Sequence, residues 1–254
     1  MAEANSYSGK IAFITGAGRG FGKAFSEALS ERGAHVVMTD RDGDAVHAAA
    51  DGVRAQGGSV TALTCDVANE ESVAAAIERV QRDHGGLDIL INNAGLHSEA
   101  YNRSMASTGI ADLRRLFDVN LMGVIICTLA AAPLMAGREG ASIVNISSTA
   151  AYPVPTAYGV SKLAVRGLTT AFARELGGTG VRVNAIAPGL IMTDTIRAEL
   201  KPETVAYVQA QQVLGREGVP EDIVNAMLYL TSPAASFVTG ETLKVGGGFT
   251  LGMG

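Results

Sequence analysis

The chain has no tryptophan, and only 5% of its residues are aromatic. Its core must therefore be mainly aliphatic. There are two cysteines, Cys65 and Cys127, in no CxxC or Cys/His pattern, which excludes a disulfide-rich scaffold and gives no metal-ligand spacing. Cys65 ends a predicted strand and Cys127 lies in an apolar helix, so both read as small buried hydrophobes. No basic block interrupts a net charge of −5, which argues against nucleic acid and anionic membrane as partners. The longest apolar run, "LMGVIICTLAAAPLM", is too short to span a bilayer and contains Pro133, so no membrane is expected. The opening "MAEANSYSGK" lacks an apolar h-region and does not read as a signal peptide. Residues 1–9 are expected to be a loose tail, and a cytoplasmic location is expected.

What is present is apolar residue in quantity: 47% of 254 residues, enough to bury a sizeable core. Short β-rich runs recur: "IAFIT", "AHVVMT", "SVTALT", "LDILIN", "SIVNIS", "VRVNAIA" and "TLKV". Several are solid apolar runs, the mark of strands covered on both faces. Amphipathic helices alternate with them. "FGKAFSEALSERG" places Phe21, Phe25, Ala28 and Leu29 on one stripe and ends at Gly33. "NEESVAAAIERVQRDHG" has Asn69 as N-cap and Val73, Ile77 and Val80 as its stripe. "VPEDIVNAMLYL" starts on Pro220 with acids in its first turn. The alternation predicts an α/β fold, a Rossmann-like doubly wound parallel sheet with helices on both faces. No linker or repeat divides it, so residues 1–254 are expected to form a single domain. In such sheets ligands bind beyond the carboxyl ends of the strands.

The first strand runs into "TGAGRGFG", where Gly16, Gly18, Gly20 and Gly22 open the next helix. Glycines there let backbone approach a pyrophosphate at a helix N-terminus. The spacing is G-x-x-x-G-x-G through Gly16, Gly20 and Gly22, with Phe21 where a G-x-G-x-x-G pattern would end. The second strand ends at Asp40, a carboxylate suited to accept from both ribose hydroxyls of an adenosine and to repel a 2′-phosphate. Asp40 favours NAD over NADP. Arg19, in the loop, and Arg41, after Asp40, are cations that could meet a 2′-phosphate.

"SSTAAYPVPTAYGVSK" holds two tyrosines and one lysine. Tyr158 and Lys162 stand four apart on a predicted helix and share a face. A phenol with a reference pKa of about 10 is a poor base at neutral pH, but a nearby ammonium lowers that value, so the pair suits proton exchange with a carbinol. Tyr152 has Thr156 four residues on and no cation, so it is expected to line a pocket or pack.

Together these segments resemble the short-chain dehydrogenase/reductase family from about Lys10 to Gly248. The carriers are "TGAGRGFG", "CDV", "NNAG", "VNLMG", "NISS" with "YGVSK", "NAIAPGLIMT" and "GETLKVGGG", in that order. The resemblance implies a catalytic group of Asn120, Ser148, Tyr158 and Lys162, with Ser147 as the alternative serine. Ser148 would steady charge on the substrate oxygen, Lys162 would also hold the nicotinamide ribose, and Asn120 would position a water leading protons from Lys162 to solvent. Cofactor contacts would come from the glycine loop (Gly16, Arg19, Gly20, Phe21, Gly22), Asp40 and Arg41, and Asp66 and Val67. Further contacts would come from Asn93, Ala94 and Gly95, from Tyr158 and Lys162, and from Pro188, Gly189, Ile191 and Thr193. Asp66 would meet the adenine and Thr193 the carboxamide. No metal is implied.

The chain departs from the family in three places. Nine residues separate Ser148 from Tyr158, fewer than is common. The loop through "LHSEAYNRSMASTG" is longer than common, and Gly246 stands where an aspartate is usual. The two loop changes are expected to reshape one wall of the substrate site together. Residues 190–215 are expected to form a lid, in which Leu200, Val205, Val208 and Val213 either face substrate or pack. His97 either lines the pocket or sits in an exposed loop, and His35, His47 and His84 are expected to be solvated. The reading is an oxidoreductase moving a hydride between NAD and a small secondary alcohol or ketone. The alternatives are an NADPH-dependent 3-oxoacyl-(acyl-carrier-protein) reductase and a non-catalytic nucleotide-binding regulator. The resemblance also implies a homotetramer pairing helices at about 112–136 and 157–176.

Overall fold

A computed structural model describes residues 6–97, 100–193 and 202–253. Residues 194–201 of the expected lid, Leu200 among them, and 1–5 of the expected tail lie outside the described residues. The strands are β1 (Ile11–Thr15), β2 (His35–Asp40), β3 (Val60–Thr64), β4 (Ile89–Asn92), β5 (Ser142–Ile146), β6 (Arg182–Pro188) and β7 (Thr242–Val245). They form one seven-stranded sheet in the order β3-β2-β1-β4-β5-β6-β7, and every pairing is parallel. The helices are α1 (Gly20–Glu31), α2 (Gly43–Ala55), α3 (Glu70–His84), α4 (Ile110–Phe117), α5 (Gly123–Met135), α6 (Ala157–Leu176), α7 (Pro202–Gln209) and α8 (Pro220–Thr231). The chain leaves β1 in one direction through β2 and β3, then returns to place β4 on β1's other side. That reversal opens a crevice at the carboxyl ends of β1 and β4.

The solid apolar runs are strands because both sheet faces are covered: every residue of β4 and β5 is buried. On one face Phe25 and Leu29 of α1, Val46 of α2 and Ile223 and Met227 of α8 pack together. On the other, Ile77 and Val80 of α3, Cys127 and Met135 of α5 and Phe172 of α6 do so. Burial pushes both thiols, Cys65 and Cys127, above their ordinary pKa. The expected caps form. Asn69 Oδ1 accepts from Ser72 N at 2.8 Å, and Pro220 opens α8. Thr156 Oγ1 accepts from Gly159 N at 3.1 Å, starting α6 one residue before Tyr158.

Polar groups inside the sheet are cross-tied. Asn92 Nδ2 donates to Thr128 Oγ1 at 3.1 Å and to Asn145 Oδ1 at 2.9 Å, and Asn145 Nδ2 donates to Thr169 Oγ1 at 3.0 Å. This chain fastens β4 and β5 to α5 and α6 beneath the crevice. At the opposite end of the sheet buried Asp88 takes a two-pronged contact from Arg138 (3.0 and 2.9 Å) and a bond from Ile11 N (2.8 Å). Burial alone would raise the Asp88 carboxyl, but Arg138, the Ile11 amide and Lys10 hold it below its ordinary range.

α4, a π-helical turn (Asp118–Met122) and α5 run on as one helix, Ile110–Met135. The apolar run thus lies in a helix of 26 residues containing an 18-residue window of mean hydropathy 1.8, long and apolar enough by length and composition to cross a membrane, although the run itself is not. Its inner side is occupied by protein: Cys127, Ala131 and Met135 are in the core.

Two histidines correct the sequence reading. His47 is exposed as expected, but His35 and His84 pack against each other with tilted rings, centroids 4.4 Å apart. His35 Nδ1 bonds Ser59 Oγ at 2.8 Å and Nε2 bonds Thr61 Oγ1 at 3.1 Å. Parallel pairing carries His35 against β3 while α3 delivers His84, a meeting no local pattern records. Burial, then His84, lowers the His35 pKa, against an opposing pull from Asp83. A histidine with a lowered folded pKa gives up stability as pH falls below its unfolded value of about 6.5, because the unfolded chain takes the proton first. The melting temperature should drop between pH 7.5 and 5.5, and His35→Gln should flatten that drop. An unchanged slope in the variant would remove His35 as its cause.

Candidate active site

The crevice begins with the glycine loop. Gly16 and Gly20 adopt φ of +64° and +54°, a region open chiefly to glycine. A Cβ on Gly22 would stand 2.2 Å from Gly16 O, so only a bare backbone lets the first turn of α1 close on the loop. Arg19, at the N-cap, makes no side-chain cap, leaving that helix end to the loop. The loop is held from β4: Asn93 Nδ2 donates to Thr15 O (2.9 Å) and Gly16 O (3.0 Å), and Ala94 N donates to Thr15 Oγ1 (3.0 Å). At the end of β2, Asp40 accepts from Gly18 N at 3.1 Å and from Asp42 N at 3.0 Å. Arg19 reaches Asp42 at 3.5 Å with both side chains largely exposed, and Arg41 is exposed. Asp66 is exposed at the end of β3, with its carboxylate accepting from Ala68 N, and Val67 is buried against Gly123. A cradle that a Cβ would fill, a helix end and a carboxylate at the next strand fit a dinucleotide.

Beyond it, β5 and α6 bring the proton-handling groups together. Lys162 is 5% exposed, and its Nζ donates to Ile146 O at 2.8 Å. In return Ser147 Oγ donates to Lys162 O at 2.8 Å. Ser147 is thereby committed to the scaffold. Ser148 is half-buried, accepts from Ala150 N at 3.1 Å and stands near enough to the Tyr158 phenol to pull its pKa down against burial. Lys162 Nζ lies 5.8 Å from the Tyr158 ring centre.

One expectation about this group is revised. Burial raises the Tyr158 pKa, and the opposing pull comes from Ser148 rather than from Lys162. The reason is that the lysine is itself buried, which lowers it to about 8, and its ammonium is aimed at a carbonyl. Asn120 sits fully buried in the π-helical turn. Both its amide hydrogens are used, on Leu96 O at 3.0 Å and Ser161 Oγ at 3.1 Å, while Oδ1 accepts from Leu96 N at 2.7 Å. Its side chain therefore clamps the turn after β4 onto α6. Gly95 lies between, where a Cβ would stand 3.3 Å from Lys162 Nζ.

The other expected residues fall around this centre. Pro188 ends β6, and Gly189 N donates to Val245 O at 2.9 Å. Ile191 is buried and bridges to Gly218, and Thr193 is half-buried at the edge of the described residues. In the 202–215 part of the expected lid, Val205 and Val208 are half-buried and Val213 exposed. His97 is exposed. Tyr152 packs between Arg166 (4.1 Å) and Lys244 (4.8 Å). It lines a cavity of about 590 Å³ that none of Ser148, Tyr158 and Lys162 touches. Among the described residues no cluster of three or more His, Cys, Asp or Glu could hold a metal.

Sequence reading missed Tyr101. It is buried with Leu116 and Ala157, and Tyr158 packs on this group. Tyr158 N donates to Tyr101 O at 3.0 Å and Ala157 N to Arg103 O at 2.9 Å. The longer loop thus supplies acceptors for the start of α6, joining the two unusual loops at the tyrosine. The shorter loop carries its own mark. Val154 has φ of 48°, a left-handed conformation that costs a β-branched residue on the order of 1–3 kcal/mol.

The comparisons agree with this geometry. The family model described as Enoyl-(Acyl carrier protein) reductase matches residues 16–250. An uncharacterized oxidoreductase of Mycobacterium tuberculosis is 39% identical over 242 residues, covering 95% of this chain and 98% of its own. The 7alpha-hydroxysteroid dehydrogenase of Escherichia coli is 37% identical over 243 residues, covering 94% of each. A solved structure of 7alpha-hydroxysteroid dehydrogenase complexed with NADH and 7-oxo glycochenodeoxycholic acid superimposes with a TM-score of 0.89. It is 35% identical and covers 98% of this chain and 97% of that one. The chain belongs to the short-chain dehydrogenase/reductase family and is an NAD(P)-dependent oxidoreductase.

Proposed function

We propose that the protein interconverts a small secondary alcohol and its ketone with NAD, using Tyr158 as the acid/base. The observation that carries this is the convergence of Ser148, Tyr158 and buried Lys162 at the end of β5, beside a glycine cradle that ends at Asp40. NAD, when bound, supplies the acceptor for the hydride leaving the carbinol carbon. Tyr158 takes the hydroxyl proton in oxidation and returns it in reduction. Ser148 donates to the substrate oxygen and steadies its developing charge. Lys162 orders the ribose, and Asn120 holds the floor of the site through Leu96 and Ser161. The relative named for a steroid hydroxyl supports a secondary alcohol as substrate class. Because burial raises the Tyr158 pKa, alcohol oxidation should accelerate toward alkaline pH, where the phenolate forms.

Asp40 supports NAD, and Arg19, the cation best placed to greet a 2′-phosphate, is paired with Asp42. The second reading, an NADPH-dependent 3-oxoacyl-(acyl-carrier-protein) reductase, draws on the name of the matching family model and on Arg41, which is exposed beside Asp40.

The same reading gives the chain a homotetramer. Two apolar surfaces lie on opposite faces of the sheet. One carries Ile110, Met122, Leu129 and Leu163 on the 110–135 helix and α6, and the other carries Tyr229 on α8, Phe237 in the segment before β7 and Leu243 on edge strand β7. Two separate self-complementary faces are what a tetramer with dihedral symmetry requires.

Tyr158→Phe should cut turnover of the best alcohol in a panel by about 10²- to 10⁴-fold, the scale of general acid/base catalysis. Intact turnover would refute the mechanism. Fluorescence titration should show NADH binding more tightly than NADPH. Asp40→Ala should narrow that gap about tenfold, the worth of a hydrogen bond to a charged group. A preference for NADPH in the unaltered protein would bring the thioester reductase forward. Sedimentation at micromolar concentration should give a tetramer that Phe237→Glu reduces to a dimer, and a monomeric unaltered protein would defeat the assembly.

A further inference from the structure

Nine residues lie between Ser148 and Tyr158. They begin with a 3-10 turn, Thr149–Ala151, for which Ser148 is the cap. Ser148 Oγ accepts from Ala150 N, and Ser148 O accepts from Ala151 N, both at 3.1 Å. Ser148 and the turn are therefore one rigid unit, and whatever holds the turn also aims the hydroxyl.

Two bare backbones hold it. On the α6 side a Cβ at Gly159 would stand 2.7 Å from Ala150 O, although that glycine lies within a regular helix. On the sheet side a Cβ at Gly246 would stand 2.9 Å from Thr149 Cγ2, 3.2 Å from Gly189 Cα and 3.3 Å from Gly189 N. Gly246 is not among the glycines with positive φ, so its backbone does not demand glycine and only the space does. Thr149 is 6% exposed and β-branched, so its methyl cannot swing aside cheaply. The position where relatives carry an aspartate is thus the position where this chain places the Thr149 methyl. The same glycine turn holds the segment after α7 from its far side: Gly247 O accepts from Val213 N at 2.8 Å and Leu214 N at 3.0 Å.

We infer that Gly246 and Thr149 are positioning residues: bare backbone at 246 seats the Thr149 methyl, and that contact aims Ser148 at Tyr158 across the shortened loop. The inference rests on the acid/base reading of Tyr158. A side chain at 246 and the docked turn compete for one space.

The test is a cycle of Gly246→Ala, Thr149→Ser and the double variant, measured on the best alcohol. Gly246→Ala should lower kcat about tenfold while the NADH Kd and the oligomeric state stay as they were, because misaiming a reacting group costs rate rather than cofactor binding. Adding Thr149→Ser, which removes the obstructing methyl, should recover most of the loss. Wild-type kcat in Gly246→Ala would overturn the inference. So would failure of Thr149→Ser to rescue it, or a weakened NADH Kd, which would route the damage through Gly189. Should Gly246→Ala not fold, Thr149→Val must lose less kcat than Thr149→Ala, since valine keeps a methyl on the seat, and the reverse order would overturn the inference. Tyr158→Phe run alongside separates the two readings. If it turns over normally, the acid/base assignment has failed. A crystal structure of Gly246→Ala then decides the contact alone, by whether the Ser148 hydroxyl has moved away from Tyr158.

Discussion

The site depends on a reciprocal lacing between β5 and α6. Lys162 Nζ bonds the carbonyl of Ile146, and the Ser147 hydroxyl bonds the carbonyl of Lys162. Each side chain satisfies a backbone acceptor on the other element, so strand and helix cannot slide past one another without leaving buried polar groups unpaired. A buried ammonium is costly, and the fold accepts it because the carbonyl is already in place. That cost leaves Lys162 a pKa of about 8, near the pH at which its charge matters. Ser148, just beyond the end of β5, inherits the register and faces the phenol.

The remaining parts of the crevice hang on the same frame. The chain of Asn92, Asn145, Thr128 and Thr169 binds β4 and β5 to the two helices behind them. Asn93 carries that rigidity to the glycine loop, and Asn120 carries it to Leu96 and α6. Nucleotide end and proton-handling end are thus held by side-chain amides that bond backbone. A side-chain amide offers donors and an acceptor in one plane, and so can bond backbone on two elements at once.

Much of the fold was legible because it is written in local pattern. Solid apolar runs named the strands, three-to-four-residue stripes named the helices, and Asn69 and Pro220 marked helix starts. The glycine spacing and the Tyr158–Lys162 interval placed the two ends of the site. Less legible was what each group does in place. The interval implied a phenol eased by its ammonium, but burial acts on both and the ammonium turns to a carbonyl. Asn120 was marked as a site residue, yet its amide is spent on Leu96 and Ser161. His35 and His84, and Tyr101 beneath Tyr158, meet only through parallel pairing and loop packing.

By itself, then, the sequence determined the alternation of strand and helix, the strands that lie buried on both faces, the glycine cradle with Asp40 after it, and the helical face that Tyr158 shares with Lys162. These follow from spacing along one chain, through backbone geometry that repeats every two or 3.6 residues. Tertiary structure alone decided that Ser147 serves the scaffold while Ser148 faces the phenol, that the longer loop caps the helix carrying Tyr158, and that Gly246 lies open to Thr149. Those outcomes depend on burial and on contacts between residues far apart in the chain, whose distances no local spacing encodes.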